Sequence, residues 1–229
     1  MRNVTPIKKF GAQKQPNDLA IILLSASPHK QSGVYRPTIE FNDGQTLLYK
    51  QLHTIEQVFP NAETVVVLGH EPEEIYKNPY FQNIRFIENQ NYLSTNTIKS
   101  SALALRATHS ESYIFIHGDI LFNEQALNIA GNESQLVIGN NEVINDKIGL
   151  ILDKNKIVNI GYGLEKPWGQ IAYMRGKELD LFKDFCYNKT KAKCLLFEGI
   201  NYIIDNGGIF HQHSNKNIVT KEILSKKDI

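Results

Sequence analysis

The sequence predicts an α/β fold: a mostly parallel central sheet with helices on both faces, in three layers, passing into a mixed and antiparallel second half. Three observations predict it. Unbroken apolar runs of strand length recur, as buried parallel strands require. Segments with helical spacing separate them. Past Gln125 the runs shorten and a hairpin-type turn replaces an intervening helix.

The first strand is Leu19 to Leu24 (LAIILL), which ends in a small, polar stretch from Ser25 to Pro37. A helix follows from about Thr46, because Leu48, Leu52, Ile55 and Phe59 fall at i, i+4, i+7 and i+11 and Pro60-Asn61 stops it. The second strand is Thr64 to Leu68 (TVVVL), closed by Gly69, and Ile84 to Ile87 makes a third. Thr97 to Ala107 reads as a helix with Ile98, Ala102 and Leu105 on one side, and Tyr113 to Ile116 (YIFI) as the next strand. Repeated strand–helix–strand units imply parallel pairing.

In the second half, Leu136 to Gly139, Gly149 to Leu152 and Ile157 to Ile160 are short strands, the last two joined across Asp153-Lys154-Asn155-Lys156. Helices are expected at Lys177 to Cys186 and Ala192 to Asn206, the latter capped by Gly207-Gly208. Leu196, Ile200 and Ile203 form its buried stripe; Glu198, Asn201 and Asp205 share the other side.

The chain has 229 residues, and 25 Lys and Arg against 24 Asp and Glu give a net charge of +1. Such a chain has no global basic field, so nucleic acid and membrane surfaces are not expected partners. Cys186 and Cys194 are too few for a disulfide framework, which fits a reducing cytoplasm. No apolar run approaches the roughly 20 residues of a membrane span. Residues 1–17, with Arg2, Lys8, Lys9 and Lys14, read as a flexible basic arm, and 18–229 as one domain with no dividing linker and no room for an added one. The N-V-T, N-E-S and N-K-T triplets are glycosylation acceptors only in a secreted chain.

In an open parallel sheet, ligands bind beyond the carboxyl ends of the strands. Three such junctions carry polar chemistry. The first holds Ser25, Ala26 and Ser27, then Lys30 and Arg36; the second leads from Glu88-Asn89-Gln90-Asn91 to Thr95, Asn96 and Ser100 at a helix start; the third is His117-Gly118-Asp119. Free backbone N–H groups at a helix start suit a phosphate or a nucleobase edge. Lys166 and Trp168 pair a cation with an aromatic ring, while His211 and His213 project alike from an apparent strand and make at most half a metal site.

In order and spacing these residues resemble the GT-A-type nucleotidyltransferases, which include sugar-1-phosphate and choline-phosphate nucleotidyltransferases. AIILLSASPHK and YRPTIEFNDGQTLLYKQL are similar to the family's opening strand, loop and helix, and VVVLGHEPEEI to its second strand, glycine and following helix. NYLSTNTIKSSALAL looks like the choline-phosphate type's T-N-N-x-x-S segment, HGDILF like the metal-binding Gly-Asp, and GLILDKNKIVNIG like the usual hairpin. The likeness spans about residues 19 to 205. Where the family has loop glycines, this chain has Ala26 and Pro28, and Pro28 has no amide to donate.

The resemblance implies a Rossmann-like GT-A sandwich that transfers NMP from an NTP (CTP, or UTP/TTP-like) to a sugar 1-phosphate or phosphocholine-like acceptor, with pyrophosphate release. It implies catalytic roles for Lys30, Arg36 and Asp119, nucleotide contacts from Ser25, Ala26, Ser27, Asn96 and Ser100, and Mg²⁺ held by Asp119. With no W-x-D-I-D-like segment in view, Asp205 is the stand-in for a second metal carboxylate, and Lys166, Trp168 and Glu198 are the acceptor candidates. A homo-oligomer is compatible with this reading. A GT-A glycosyltransferase using His117-x-Asp119, or a catalytically silent nucleotide- or sugar-binding relative, shares the same fold.

Overall fold

The structure is a computed structural model that describes residues 18–27, 35–81, 84–140 and 146–229. The chain runs through β1 (Leu19–Leu24), α1 (Leu47–Val58), β2 (Glu63–Leu68), α2 (Pro72–Tyr76), β3 (Arg85–Glu88), α3 (Thr97–Ala107), β4 (Ser112–His117), β5 (Ile120–Phe122) and α4 (Glu124–Leu127). It continues through β6 (Gln135–Ile138), β7 (Ile148–Asp153), β8 (Lys156–Tyr162), β9 (Lys166–Arg175), α5 (Gly176–Tyr187), α6 (Leu196–Asp205), β10 (Phe210–His213) and β11 (Thr220–Glu222).

Among the described residues, nine strands form one sheet in the order β3-β2-β1-β4-β9-β6-β10-β8-β7, and β11 pairs with β5 in a second, two-stranded sheet. The expected α/β architecture is present. β1 is parallel to both β2 and β4, and β2 to β3, whereas β9 is antiparallel to β4 and to β6. β7 also pairs with the start of β9, so the far end of the sheet curls back on itself.

Alternation within an all-apolar strand produces the three layers. Ala20, Ile22 and Leu24 of β1 face a core shared with Ile98 of α3, Phe182 of α5 and Ile200 of α6. Ile21 and Leu23 face the opposite core with Leu48, Leu52 and Ile55 of α1 and Leu127 of α4. A strand with helices on both sides has no polar face, which is why the run is unbroken.

Three differences from the sequence expectation have physical causes. The segment around Lys166 to Tyr173, given no element from the sequence, is β9, a ten-residue strand beside β4; Pro167 and Gly169 break the local strand signal, and pairing on both edges restores it. The last helix starts at Leu196 rather than Ala192, because Leu195 is extended and its N–H is held by Glu198 Oε2 at 2.6 Å. β5 and β11 are too short to stand out by periodicity. The hairpin at 153–156 forms as expected, with Asp153 opposite Lys156 and Lys154 at φ 55°. The helix cap also forms, Gly207 taking φ 76° as its N–H meets the Ile204 carbonyl.

Candidate active site

Register brings the strand ends together. Leu24 lies beside Val67 on one side and His117 on the other, and Leu68 lies beside Glu88. The residues that follow, Ser25, Gly69, Asn89 and Gly118, therefore meet at one edge of the sheet. Ser25, Asn89 and Gly118 open onto a cleft of about 500 Å³.

The floor of this cleft is a close approach of two backbones. Gly118 N–H donates to the Leu24 carbonyl at 3.0 Å. A methyl group at Gly118 would come within 2.1 Å of Ser25 Oγ and 2.7 Å of Ser25 Cα. The glycine before Asp119 thus serves the fit of β4 against β1. Gln51 of α1 fixes the same turn, its Nε2 donating to the carbonyls of Gly118 (3.2 Å) and Ile120 (2.8 Å).

Asp119 emerges there, 8% exposed. Arg36 Nη1 donates to its Oδ2 at 2.7 Å, while Asp119 Oδ1 and Arg36 Nε are buried with no partner among the described residues. A buried carboxylate oxygen without a donor is costly unless a ligand completes it. Another carboxylate in the cleft is Glu222 on β11, a residue the sequence reading passed over. It sits opposite Ile120, lines the same cleft, and its neighbour Ile223 donates an N–H to the Asp119 carbonyl at 2.7 Å. Lys147, just before β7, is ion-paired with Glu222. Burial holds the His117 imidazole below its ordinary value, opposed by the charges of Asp119 and Glu222.

One wall of the cleft is built around Asn89, which is 1% exposed. Its Nδ2 donates to Thr95 Oγ1 (3.2 Å) and Ser100 Oγ (3.1 Å), and its Oδ1 accepts the Asn91 N–H. Asn96 caps α3 through Thr97 N–H at 2.9 Å. Ser25, Ala26, Ser27, Thr95, Asn96 and Ser100 all line this part. The rest of the lining comes from the second half of the chain: Lys147, Ile148, Tyr162, Gln170 and Leu195.

The sequence-predicted residues divide accordingly. The cleft gathers Ser25, Ala26, Ser27, Arg36, Asn96, Ser100 and Asp119. Lys30, Pro28 and the basic arm lie outside the described residues. Asp205 is exposed at the carboxyl end of α6 and does not line the cleft, so it does not join Asp119 as the reading expected. Glu198 caps the start of α6 and is absent from the cleft lining. Lys166 is exposed, pairs in register with Leu150 and is absent from the lining. Trp168 is 5% exposed and lines an adjoining cavity of about 290 Å³, edge-on to His117 with ring centroids 5.4 Å apart. His211 approaches Glu133 at 3.7 Å and His213 the Gln125 carbonyl at 3.0 Å; among the described residues no cluster of three or more His, Cys, Asp or Glu is placed to hold a metal.

Solved structures are similar in fold over nearly the whole chain. The inositol-1-phosphate CTP transferase from T. maritima matches with a TM-score of 0.72 at 19% identity, over 95% of this chain and 93% of that one. The fold is that of the nucleotidyltransferases. The CTP:phosphocholine cytidylyltransferase LicC from Streptococcus pneumoniae gives 0.69 at 14% identity over 92% and 96%, and a putative glucose-1-phosphate thymidylyltransferase from Bacillus anthracis gives 0.69 at 11% over 92% and 92%. In sequence, 102 residues are 26% identical to the bifunctional protein GlmU of Caldicellulosiruptor saccharolyticus, covering 44% of this chain and 22% of that protein. No family model matches. Among the described residues, no helix is long and apolar enough to cross a membrane.

Proposed function

We propose that this nucleotidyltransferase fold transfers a nucleoside monophosphate from an NTP to a small phosphorylated acceptor. The observation that carries it is the placing of Asp119, with its free buried oxygen, Arg36 and Glu222 around one cleft at the carboxyl edge of the parallel strands. An acceptor phosphate oxygen attacks the α-phosphorus in line. A new P–O bond forms there as the bond to the β-phosphate breaks, and pyrophosphate leaves with that electron pair. No covalent enzyme intermediate is required.

Two oxygen donors suit a hard divalent cation that keeps several waters and takes its other oxygens from phosphates. Asp119 and Glu222 would hold Mg²⁺, which supplies charge neutralisation for the triphosphate when bound. Arg36 stabilises negative charge on the phosphates through its free N–H groups. Asn89 positions Thr95 and Ser100, and with the capped start of α3 these receive the nucleoside. Tyr162, Gln170 and Leu195 join Trp168 as the acceptor side, in place of Lys166 and Glu198.

CTP is the first nucleotide to test, because two of the similar structures are named for it. The experiment is pyrophosphate release from each NTP with Mg²⁺ and a panel of inositol 1-phosphate, phosphocholine and sugar 1-phosphates. Release that depends on one acceptor and disappears in Asp119→Asn supports the proposal. Formation of nucleoside diphosphate from a nucleotide sugar, or ligand binding without either product, overturns it.

A further inference from the structure

Among the described residues lining the cleft, Arg36 and Lys147 are the only cations, and each is already paired with a carboxylate. Asp119 neutralises Arg36, and Glu222 neutralises Lys147. Asp146 adds a further negative charge to the same lining. Among the described residues the lining thus holds three carboxylates against two cations, a balance that disfavours a phosphate monoester. The two pairs also differ in place. Arg36 comes from the first junction, after Ser25 to Ser27 in the chain, whereas Lys147 comes from the second half, just before β7.

We propose that Lys147 holds the acceptor's phosphate and that Glu222 withholds it until a divalent cation takes over the Glu222 carboxylate. The proposal rests on the reading of Asp119 and Glu222 as the metal pair. Both steps use one ion pair: the carboxylate that leaves Lys147 is the one the metal needs, and the ammonium set free is the one the phosphate needs. The Lys147 side chain is 38% exposed and that of Glu222 23%, so the ammonium can leave its partner without unpacking the core. The two cavities that meet at this pair share Lys147, Ile148, Gln170 and Glu222. An acceptor phosphate held on Lys147 therefore has space behind it for the rest of the molecule, lined by Trp168 and Thr220. Linkage then makes metal and phosphate raise each other's affinity by the same factor.

The test needs no turnover. Mn²⁺ binding is measured by electron paramagnetic resonance, and inorganic phosphate binding by calorimetry with and without Mg²⁺. In the unsubstituted chain Mg²⁺ should tighten phosphate binding by about fivefold or more. Lys147→Met should bind Mn²⁺ about threefold tighter, having lost the competing ammonium, and should lose the Mg²⁺-dependent phosphate binding. Glu222→Gln should do the reverse: weaker Mn²⁺ binding and phosphate binding that no longer depends on Mg²⁺. Lys147→Met with unchanged Mn²⁺ and phosphate binding overturns the inference, as does Glu222→Gln with phosphate binding still dependent on Mg²⁺. These readouts stand apart from pyrophosphate release. Failure of the transfer reaction with every NTP would remove the proposed function and leave the metal–phosphate linkage to be judged on its own numbers.

Discussion

The two halves of this molecule contribute to the cleft in different ways. In the parallel half, each functional group lies close behind its own strand: Ser25 after β1, Asn89 after β3, Asp119 after β4. In the antiparallel half, Lys147, Tyr162, Gln170 and Glu222 come from the edges and interiors of strands, and they reach the site only because of what those strands pair with. Parallel strands all end at the same edge, so position after a strand is enough to place a side chain there. Antiparallel strands present either end, and pairing decides which.

The sharpest way to break this comparison is to remove one acid from each half. Asp119→Asn should lower the rate of pyrophosphate release by on the order of 10³ while the circular dichroism spectrum stays native. Glu222→Gln should cost on the order of 10². If Glu222→Gln retains full activity, Glu222 has no part in the chemistry. Gly118→Ala tests the floor on which the halves meet. Its added methyl group meets Ser25 Oγ at 2.1 Å and backbone atoms of Ser25 and Leu24 at 2.7 and 2.8 Å. Denaturant titration should show a loss of about 1–3 kcal/mol.

Tyr35 supplies a pH test for the first loop. Its hydroxyl donates to the Ser25 carbonyl at 3.2 Å, and burial pushes its ionisation above the ordinary value of 10.0. Below that value native and unfolded states both hold the proton. Above it the unfolded chain loses the proton first, so stability falls with rising pH. Tyr35→Phe should flatten this alkaline decline in thermal melts, and an unchanged slope would sink the assignment. The smallest effect is expected where sequence reading and structure part ways: Lys166→Ala should leave the acceptor KM within about twofold, as befits an exposed residue outside the cleft.

Much of the first half was legible because its signals are local. LAIILL and TVVVL announce buried strands, and HGD follows YIFI directly. Asn96 and Ser100 could be read from a helix start, although Asn89, which organises them, looked like one more polar loop residue; only its burial reveals the role. In the second half the same habits misled. Glu198 and Asp205 share a helix face by spacing, yet that spacing says nothing about where the helix lies. Glu222 sits in a three-residue strand with no periodic signal of its own.

By itself the sequence determined the layers of the fold and the acid at the end of β4, because alternation and chain punctuation are properties of neighbours along the chain. The tertiary structure decided which acid stands beside it. That choice depends on β11 pairing with β5, Glu222 against Ile120, and on β9 running antiparallel to β4 so that Gln170 and Trp168 come up beside His117. Hydrogen bonds between strand edges are made between residues far apart in the chain. A shift of one residue turns every side chain to the other face, and no local pattern in TKE records which register wins.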